Sequence, residues 1–515
     1  MVRERLGGSA EMVPSKDRIC AVVAARDAIS MWRQLERALR RTRTIELRLD
    51  WLSSEAEIDR FLQRLAKSRP RATLIATFRR RDAGGRYRGP IAKQLIHLAE
   101  AVQAGCKWYD MDFETASVCP DKLIDVLLGE GRQLLSAHFF DCMPKDLNQV
   151  VGKLARAKPD AVKIAAHCES LRDSLKLLRL CRIRRNVVAI PMGDVALPAR
   201  VLALRQGSAL AYAPVENATA PGQIALDEML DLYRANKLSR ATRVYGVIGD
   251  PIGHSLSPHM QNAGFQARGI DAVYLPFLVR DLRDFLGAVV PLGISGFSVT
   301  IPHKERILGL LDDCDPLAAA IGAVNTVIVR KGGKLFGYNT DYVGVLRALG
   351  SRIPFRGSRV LILGAGGVAR AVVFALAHAG AMVSIWARRP KRAKSLARAA
   401  GGEAIERGII RREFFDAIVN ATPVGMYPSV NDSPLEGREL NCRLIFDTIY
   451  RPRATKLLRL AGRRGIETIS GVDMFVAQGT AQWELWTGQR APAKIMRLAV
   501  VRALNAEETE TGTAN

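Results

Sequence analysis

Residues 358–389 read SRVLILGAGGVARAVVFALAHAGAMVSIWARR and decide the fold of the second half of the chain. An apolar run ends at Leu363, a glycine-rich turn follows, and a long apolar segment precedes a second short apolar run. This order predicts a strand, a turn, a helix and a strand, which together begin a dinucleotide-binding Rossmann domain. The turn places Gly364 and Gly366 at the first two glycine positions and Ala369 at the third, where alanine is also accepted.

The residues after the second predicted strand indicate which dinucleotide binds. An NAD site carries Asp or Glu about 20 residues after the glycine turn, where the carboxylate binds a ribose hydroxyl. This chain has ARRPKR at that point, so Arg388, Arg389 and Arg392 are candidates for binding a 2′-phosphate. We therefore predict NADP; the alternative is a solvated basic turn that binds no ligand.

Short polar turns follow the apolar runs upstream of this domain. After VYGVIGD, the turn PIGHSLSPHM holds Ser255 and Ser257 between two prolines, although an ordinary proline-containing loop reads the same way. Three further segments, GFSVTIPHKE, GAVNTVIV and GYNTDYVG, place small polar residues at the end of a strand or turn. Lys304 and Asp341 are the ionisable pair among them.

The first half of the chain has a different pattern. Short apolar runs alternate with amphipathic segments such as EAEIDRFLQRLAKS. Strand and helix alternating eight times within about 200–250 residues predicts a (β/α)8 TIM barrel. The eight predicted strands are ICAVVAA, TIELRLD, ATLIATF, KWYDMDF, QLLSAHF, DAVKIAA, VVAIPM and ALAYAPV.

Polar residues collect at one end of these predicted strands. The C-terminal strand ends and the loops after them carry the chemistry in barrels of this kind, so we expect these residues to form one site. They are Glu46 and Arg48 on the second strand, Arg79 after the third, His138 on the fifth, Lys163 on the sixth, Arg200 after the seventh and TAPGQ (219–223) after the eighth.

Lys163 places an amine inside an apolar strand, which is costly unless the amine has a function or reaches water. His138 lies on the preceding strand, and neighbouring strands are about 4.8 Å apart, so both side chains can reach one small substrate. A desolvated amine near arginines loses its proton more readily and can form a Schiff base with a ketone. His138 is then the candidate base and acid. The candidates for binding a carboxylate or hydroxyl groups are Arg48, Arg79 and Arg200.

Composition limits the class of protein. At 515 residues the chain is too long for one core, and its 48% hydrophobic content is that of a globular protein without a membrane span. The net charge of +25 would suit a nucleic-acid binder, but aromatic residues are only 6% and are not interleaved with basic runs. We expect solvated basic helix faces, small anionic substrates and no nucleic-acid or membrane partner.

Eight cysteines without a CxxC pair, and no apolar signal segment, predict free thiols, no metal and a cytoplasmic location.

Taken together, these motifs make the chain similar to the bifunctional 3-dehydroquinate dehydratase–shikimate dehydrogenase family of the shikimate pathway. The first half resembles a type I dehydratase and the second half a shikimate dehydrogenase. The second half carries the more specific match, because GDPIGHSLSPHM, GFSVTIPHKE, GAVNT, GYNTD, GAGG, NATPVGM and GVDMFVAQG occur in that order.

The resemblance implies roles for individual residues. In the dehydratase, Lys163 is the Schiff-base lysine and His138 transfers protons; substrate contacts are Glu46, Arg48, Arg79, Arg200, Thr219 and Gln223. In the dehydrogenase, Lys304 and Asp341 are the catalytic pair; shikimate contacts are Ser255, Ser257, Thr300, Asn325, Asp341, Tyr450 and Gln478. NADP contacts are Gly364, Ala365, Gly366, Gly367, Arg388, Arg392 and Gly471.

Two positions depart from the family pattern. Thr219 stands where serine is usual and keeps a hydroxyl group. Ala83 stands where a glutamate normally helps to orient the catalytic histidine. Asp82 is adjacent, but neighbouring residues on an extended segment point to opposite sides. The sequence therefore leaves the orienting group of His138 unassigned.

The resemblance also implies a domain order and a reaction sequence. It assigns 1–16 to a flexible N-terminus, 17–238 to the dehydratase barrel, 243–345 to the shikimate-binding domain, 346–475 to the NADP-binding Rossmann domain, 476–506 to C-terminal helices and 507–515 to a disordered tail. The expected reactions convert 3-dehydroquinate to 3-dehydroshikimate and then, with NADPH, to shikimate. Two alternatives stay open: a quinate dehydrogenase of quinate breakdown, and a regulatory nucleic-acid-binding protein on the same scaffold.

Overall fold

The computed structural model describes residues 11–184, 186–216 and 222–510. Its residues divide into two compact units. The first contains the described residues up to Thr242 together with Arg283–Leu292, and the second contains Arg243–Leu282 and the described residues from Gly293 onward.

The first unit is built on one parallel sheet of eight strands in the order β7-β6-β5-β4-β3-β2-β1-β8. Just before β8, the Ala209 amide donates to the carbonyl of Val187 on β7 (2.8 Å), so the sheet nearly closes. The predicted (β/α)8 barrel is confirmed. The strands are β1 (Ile19–Val23), β2 (Thr44–Arg48), β3 (Thr73–Thr77), β4 (Trp108–Asp112), β5 (Arg132–Phe139), β6 (Ala161–His167), β7 (Val187–Met192) and β8 (Ala211–Pro214).

Helices separate the strands of the barrel, and most of them begin directly after a capping side chain or a proline. Asp27, Ser54, Asp146 and Ser170, for example, each accept a backbone N–H of the first turn that follows. The helices are α1 (Ala28–Leu39), α2 (Glu55–Ser68), α3 (Ile91–Gln103), α4 (Phe113–Val118), α5 (Asp121–Leu128), α6 (Leu147–Arg156), α7 (Leu171–Ile183) and α8 (Leu197–Leu202).

The interior of the barrel changes from apolar to charged along the strands. One layer is apolar and includes Ile75, Trp108, Leu134 and Ala161, against which Met12 and Val13 also pack. Packed residues therefore begin before position 17, within the segment expected to be flexible, because two apolar side chains close this end of the barrel. Further along the same strands, the inward positions carry the charged residues described below.

The second unit contains two sheets. In the first, β9, β10 and β11 are parallel, and β13 runs antiparallel between β11 and β14. Its order is β10-β9-β11-β13-β14-β12. The strands are β9 (Arg243–Gly249), β10 (Ala272–Leu278), β11 (Ile294–Val299), β12 (Asp313–Cys314), β13 (Thr326–Val329) and β14 (Leu335–Tyr338).

The other sheet is parallel throughout, in the order β17-β16-β15-β18-β19-β20. This is the doubly wound arrangement in which ligands bind where the strand order reverses, here beside β15 and β18. The predicted Rossmann fold is confirmed. The strands are β15 (Arg359–Leu363), β16 (Met382–Trp386), β17 (Glu403–Ala404), β18 (Phe415–Asn420), β19 (Cys442–Asp447) and β20 (Glu467–Ile469).

The remaining helices connect and cover these sheets, except α10, nearly all of which falls in the first unit. They are α9 (Ser257–Ala267), α10 (Leu282–Leu292), α11 (Pro316–Ile321), α12 (Asp341–Leu349), α13 (Gly367–His378), α14 (Pro390–Ala400), α15 (Arg407–Ile410), α16 (Lys456–Gly462), α17 (Gly471–Thr487) and α18 (Ala493–Glu510). Helix α18 continues four residues into the segment expected to be disordered from 507, because the first glycine comes at Gly512. No helix in the described part of the chain is long and apolar enough to span a membrane.

Candidate active sites

Lys163 is buried because strand alternation turns it into the barrel. On β6, Val162, Ile164 and Ala166 face the surrounding helices and pack against their apolar side chains. Ala161 belongs to the apolar interior layer, so Lys163, two residues further on, faces inward as well. Its side chain is 2% exposed. The alternative of an outward or solvated lysine is therefore wrong.

Two carboxylates contact the Lys163 amine. Its Nζ forms an ion pair with Oδ2 of Asp110 and donates to Oε1 of Glu46 at 3.3 Å. Glu46 also accepts a 2.9 Å hydrogen bond from the hydroxyl of Thr77, which fixes its carboxylate. The ring of Tyr212 lies 4.7 Å from Nζ on another side. The buried amine is thus in contact with groups from three other strands, β2, β4 and β8.

Asp110 is the centre of this charged cluster, and sequence reasoning missed it. Arg79 donates to its Oδ2 at 2.7 Å, and the Ser136 hydroxyl donates to its Oδ1 at 2.7 Å. Burial raises the pKa of this carboxyl, but Arg79 and Lys163 outweigh burial and hold the pKa well below its usual range. Asp110 is therefore a permanent anion at neutral pH. The detectable signal was an aspartate facing inward from the apolar strand KWYDMDF.

Arg48 is held by a second missed aspartate. Its Nε and Nη2 both donate to the carboxylate of Asp50 at 2.9 Å, and both side chains are buried. The backbone N–H of Arg86 donates to the same carboxylate at 3.1 Å, which ties the loop after β3 to this pair. The two-point contact fixes the plane of the guanidinium group and its direction in the site.

His138 lies beside the lysine strand, as predicted. The pairing of β5 with β6 sets Ser136 opposite Lys163 and His138 opposite Ala165. His138 is half-buried. Burial lowers its pKa well below the ordinary value, and the positive charges of Arg79 and Lys163 lower it further. The imidazole is therefore neutral at pH 7 and able to accept a proton.

Arg200 is at the same end of the barrel, on α8. It is 6% exposed, and its Nε donates to the carbonyl of Pro191 at 2.7 Å. Burial lowers its pKa to about 10, which still leaves it cationic at neutral pH. Gln223 is half-buried after β8, and Thr219 lies outside the described residues.

The loop after β3 does not supply a replacement for the missing glutamate. Ala83 is buried at 5% exposure. The carboxylate of Asp82 is exposed and forms an ion pair with Arg80 at 3.3 Å. This matches the expectation that Asp82 points away from the position that Ala83 occupies.

In the second unit, Lys304 and Asp341 form a direct pair. Nζ of Lys304 lies 2.6 Å from Oδ2 of Asp341, and the lysine side chain is 14% exposed. The amide of Asn325 donates to the other oxygen of Asp341 at 2.8 Å. Asn325 is oriented because its own Oδ1 accepts the backbone N–H of Thr340 at 2.7 Å. These contacts fix the carboxylate, and through it the ammonium group.

The predicted shikimate contacts lie on neighbouring strand ends of this unit. Ser255 and Ser257 follow β9, and Thr300 follows β11, which is parallel to β9. Asn325 is next to Thr300 because its carbonyl accepts the N–H of Val299 at 2.8 Å.

Two further predicted contacts, Tyr450 and Gln478, come from later in the chain. Gln478 on α17 is buried, and its Nε2 donates to the carbonyl of Phe475 at 2.8 Å. The ring of Tyr450 stacks on Phe475 with centroids 4.4 Å apart, and burial raises the pKa of the tyrosine. Gln478 packs directly against Gly344 on α12, the helix that begins at Asp341.

The glycine turn after β15 has the geometry that a pyrophosphate requires. Gly364 has a φ of +116°, which side chains rarely adopt, and α13 begins at Gly367. A Cβ on Gly366 would meet open space, so the backbone there can be approached by a ligand. The N-terminal N–H groups of a helix bind phosphate oxygens. A Cβ on Gly367 would lie 3.6 Å from Cδ of Lys304, which places the lysine beside the turn.

The other predicted NADP contacts surround the same sheet edge. Arg388 and Arg392 are exposed after β16, the strand beside β15. Gly471 begins α17, and a Cβ there would lie 2.4 Å from the carbonyl carbon and oxygen of Ile449. Only glycine allows this close approach of two backbones. The residues present therefore fit a dinucleotide that carries a 2′-phosphate.

Comparison with known proteins agrees with this geometry. Residues 19–240 match the model for type I 3-dehydroquinase, 247–327 that for the shikimate dehydrogenase substrate binding domain, and 471–500 that for the shikimate 5'-dehydrogenase C-terminal domain. A chloroplastic bifunctional 3-dehydroquinate dehydratase/shikimate dehydrogenase of Arabidopsis thaliana is 33% identical over 95% of this chain and 85% of its own length. The chain belongs to this bifunctional family. The resemblance inferred from the motifs is confirmed.

Single-function relatives of this bifunctional family match the second half alone. A shikimate dehydrogenase (NADP(+)) of Bacillus cereus (strain ATCC 10987 / NRS 248) is 43% identical over 51% of this chain and 99% of its own length. The crystal structure of shikimate 5-dehydrogenase from Thermus thermophilus in complex with NADP(H) and shikimate is 38% identical, covering 51% of this chain and 99% of its own, with a TM-score of 0.48.

Proposed function

We propose that this chain catalyses two consecutive reactions, the dehydration of 3-dehydroquinate to 3-dehydroshikimate and the NADPH-dependent reduction of 3-dehydroshikimate to shikimate. The observation that carries the proposal is a pair of differently built lysine sites. Lys163 is enclosed between Glu46 and Asp110 inside a barrel. Lys304 lies between Asp341 and the glycine turn of a Rossmann domain. The first site suits attack on a ketone and the second suits proton delivery beside a hydride donor.

Dehydration begins when the Lys163 amine forms a C–N bond with the C3 ketone, and the two protons that its ammonium group loses leave with the carbonyl oxygen as water. Loss of the carbonyl oxygen as water leaves an iminium ion, which draws electrons from C2 and acidifies its hydrogen. His138 removes that proton as a neutral base and returns it to the C1 hydroxyl, which leaves as water. Hydrolysis of the imine then releases the enone and restores the lysine.

The charged cluster supplies the binding groups for this reaction. Arg200 is the group that we assign to the substrate carboxylate, because its cationic guanidinium faces the same end of the barrel as Lys163. Glu46 contacts the reactive amine directly and is positioned to accept a substrate hydroxyl. The further substrate contacts in this assignment are Arg48, Arg79, Thr219 and Gln223.

Reduction needs a proton at the ring oxygen that develops negative charge. NADPH supplies the hydride when it is bound. Lys304 donates the proton and offers a positive charge to that oxygen, and Asp341 holds the lysine and a neighbouring hydroxyl of the ring. Asn325 keeps Asp341 turned toward the lysine. The remaining ring contacts in this assignment are Ser255, Ser257, Thr300, Tyr450 and Gln478.

The assignment divides the chain by function. Dehydration belongs to residues 17–238, ring binding in the second step to 243–345 together with Tyr450 and Gln478, and NADP binding to 346–475. Arg388 and Arg392 bind the 2′-phosphate in this assignment, and the turn at 364–367 with Gly471 receives the rest of the cofactor.

A coupled assay tests both halves in one solution. With 3-dehydroquinate and NADPH, the chain should consume NADPH; Lys163→Ala should not, yet should consume it when given 3-dehydroshikimate. Lys304→Ala should convert 3-dehydroquinate to an ultraviolet-absorbing enone without consuming NADPH. Mixing the two variants should restore consumption. If the unaltered chain consumed no NADPH with 3-dehydroshikimate, the proposed reduction would be refuted. If it formed no enone from 3-dehydroquinate, the proposed dehydration would be refuted.

A further inference from the structure

Among the described residues, none hydrogen-bonds to Nδ1 of His138 to orient the ring. In the described part of the chain, its buried Nδ1 has no group within hydrogen-bonding geometry, and the family's glutamate position is the methyl group of Ala83. The outer torsion of a histidine side chain has broad minima, so burial alone does not fix the plane of the ring. Proton transfer to and from carbon depends on that plane, so something else must define it.

Phe140, two residues further along the chain, contacts one face of the imidazole. The two ring centroids are 5.8 Å apart, and their planes differ by 17°. This is the offset-stacked arrangement that aromatic rings prefer over a face-to-face sandwich. Rotation of the imidazole about its outer torsion would break this contact, so stacking restricts the ring to one plane.

Gly84 holds the phenyl ring where it can stack. Its φ is +82°, and a Cβ at this position would lie 2.1 Å from Cζ and 2.8 Å from Cε2 of Phe140. The phenyl ring therefore occupies the space that any other residue at position 84 would fill. The loop after β3, which lacks the orienting carboxylate, instead provides a surface for an aromatic ring.

We propose that Phe140 is a positioning residue for His138: its ring fixes the plane of the imidazole by stacking, where the described residues supply no carboxylate partner. The inference rests on the dehydration reaction proposed above. It assigns to an apolar contact the orientation that the family pattern assigns to an ion pair. The charged groups that act on His138 are Arg48 on β2, Arg79 after β3, Asp110 on β4 and Lys163 on β6, and substitution of Phe140 removes none of these charges.

Two substitutions separate stacking from simple packing. Phe140→Leu keeps an apolar side chain but removes the ring, and Phe140→Tyr keeps the ring. For dehydration by Phe140→Leu we expect kcat to fall about three- to tenfold, the range for loss of one aromatic contact, with KM within about twofold of the original. The acid limb of the kcat–pH profile should move to higher pH, because water reaches the imidazole and relieves its desolvation. Phe140→Tyr should keep the original kcat and profile.

The controls use the same full-length chain. Borohydride trapping of substrate on Lys163 should change by less than about twofold in Phe140→Leu, because the nucleophile is a separate group. Shikimate oxidation with NADP reports that the second unit of each variant is intact, and trapping on Lys163 reports that the barrel site is intact. Phe414→Leu, which truncates a phenylalanine that is 51% exposed in the other unit, should leave dehydration unchanged. Gly84→Ala should displace the phenyl ring and reproduce the effect of Phe140→Leu.

Several results would overturn the inference while leaving the dehydratase activity intact. Wild-type kcat and pH profile in Phe140→Leu would show that stacking does not position the base. An equal loss in Phe140→Tyr would show that the ring is not what matters, and a parallel loss of trapping would show general damage to the site. Absence of dehydration in the unaltered chain would instead refute the proposed function.

Discussion

The two lysine sites differ in how far they exclude water. The Lys163 side chain is 2% exposed and contacts two carboxylates, whereas the Lys304 side chain is 14% exposed and contacts one. A Schiff-base nucleophile gains from enclosure, because its covalent intermediates must be protected until each proton is in place. A proton donor must be recharged from solvent after each turnover, so it needs an opening. The exposure of each lysine thus agrees with the role proposed for it.

Two buried carboxylates, Asp110 and Asp447, differ in the charge of the groups around them. Asp110 is surrounded by cations, which hold its pKa well below the usual range despite burial. Asp447, at the end of β19, accepts hydrogen bonds only from neutral donors among the described residues: Asn420, Ile449 and Thr455. Burial outweighs these bonds and raises the pKa of Asp447 to about 6. Hydrogen bonds from neutral groups offset desolvation less than charges do.

The largest loss of activity is expected for Lys163→Ala. Without the nitrogen no iminium ion forms, so dehydration should fall by at least roughly 10⁴-fold. The loss is measured as the rate of enone formation from 3-dehydroquinate. Borohydride should trap substrate mass on the peptide that contains Lys163 in the original chain and not in the variant.

Lys176 provides the matched control for that experiment. It is a lysine of the same unit whose side chain is 55% exposed and paired with Asp173. Lys176→Ala should leave dehydration and trapping unchanged, and shikimate oxidation should survive in both variants. Trapping at another lysine, or dehydration that persists in Lys163→Ala, would mean that the buried amine has a structural role.

Lys304→Ala tests the more open site. Shikimate oxidation should fall by about 10²–10⁴-fold, the range for loss of a general acid or base, while the dissociation constant for NADP changes little. Stopped-flow or steady-state absorbance of NADPH measures the rate, and fluorescence titration measures the binding. The exposed Lys494 on α18 is a suitable control, and Lys494→Ala should keep both values. Near-normal turnover in Lys304→Ala would refute its role in proton transfer.

Asp447→Asn tests whether ionisation of this buried carboxyl group lowers the stability of the fold. Because the folded-state pKa is raised to about 6, the protonated form is favoured in the fold, and stability falls as pH rises between the unfolded and folded pKa values. An asparagine keeps the acceptor for Asn420 and Ile449 and does not ionise. The variant should match the original near pH 4 and exceed its unfolding free energy by about 2–3 kcal/mol near pH 7.

The difference in unfolding free energy is measured by urea unfolding. Loss of shikimate oxidation is the readout, because it reports on the unit that contains Asp447. Asp432→Asn, at an exposed position, is the control and should show no such dependence on pH. A difference between Asp447→Asn and the original chain that is equal at all pH values would show that the charge of Asp447 is not the cause.

The sequence predicted the elements of this fold because their signals are local. Eight apolar runs, the glycine turn and the residues after it each occupy a few consecutive positions. The charged cluster could be predicted only in part. KWYDMDF shows two inward-facing aspartates but does not distinguish them: Asp110 joins Lys163, whereas Asp112 caps α4 by accepting the N–H of Thr115. That choice depends on strand register between distant segments, which a single sequence does not reveal.

Contacts made by apolar groups were the least predictable part of the site. Ala83 indicated that an orienting group was missing, but the position of Phe140 depends on how two loops meet above the barrel. The same limit applies to Met12 and Val13, whose burial follows from closure of the barrel rather than from their own sequence context.

Among the substitutions at Lys163, Lys304, Asp447 and the cofactor edge, the smallest effect is expected at the cofactor edge, where the cations are exposed rather than buried. Replacing both Arg388 and Arg392 with alanine should raise the KM for NADP about ten- to hundredfold, because a charge-assisted phosphate contact contributes about 1.5–3 kcal/mol. Exposure favours the lower end of that range, since solvent and salt weaken such contacts. The KM for NAD should change little, because NAD lacks the 2′-phosphate.

Arg398→Ala, at an exposed position near the other end of α14, is the control. Raising the salt concentration should reduce the preference of the original chain for NADP and leave the double variant unaffected. Equal losses for NADP and NAD would show that the arginines support the domain without reading the phosphate.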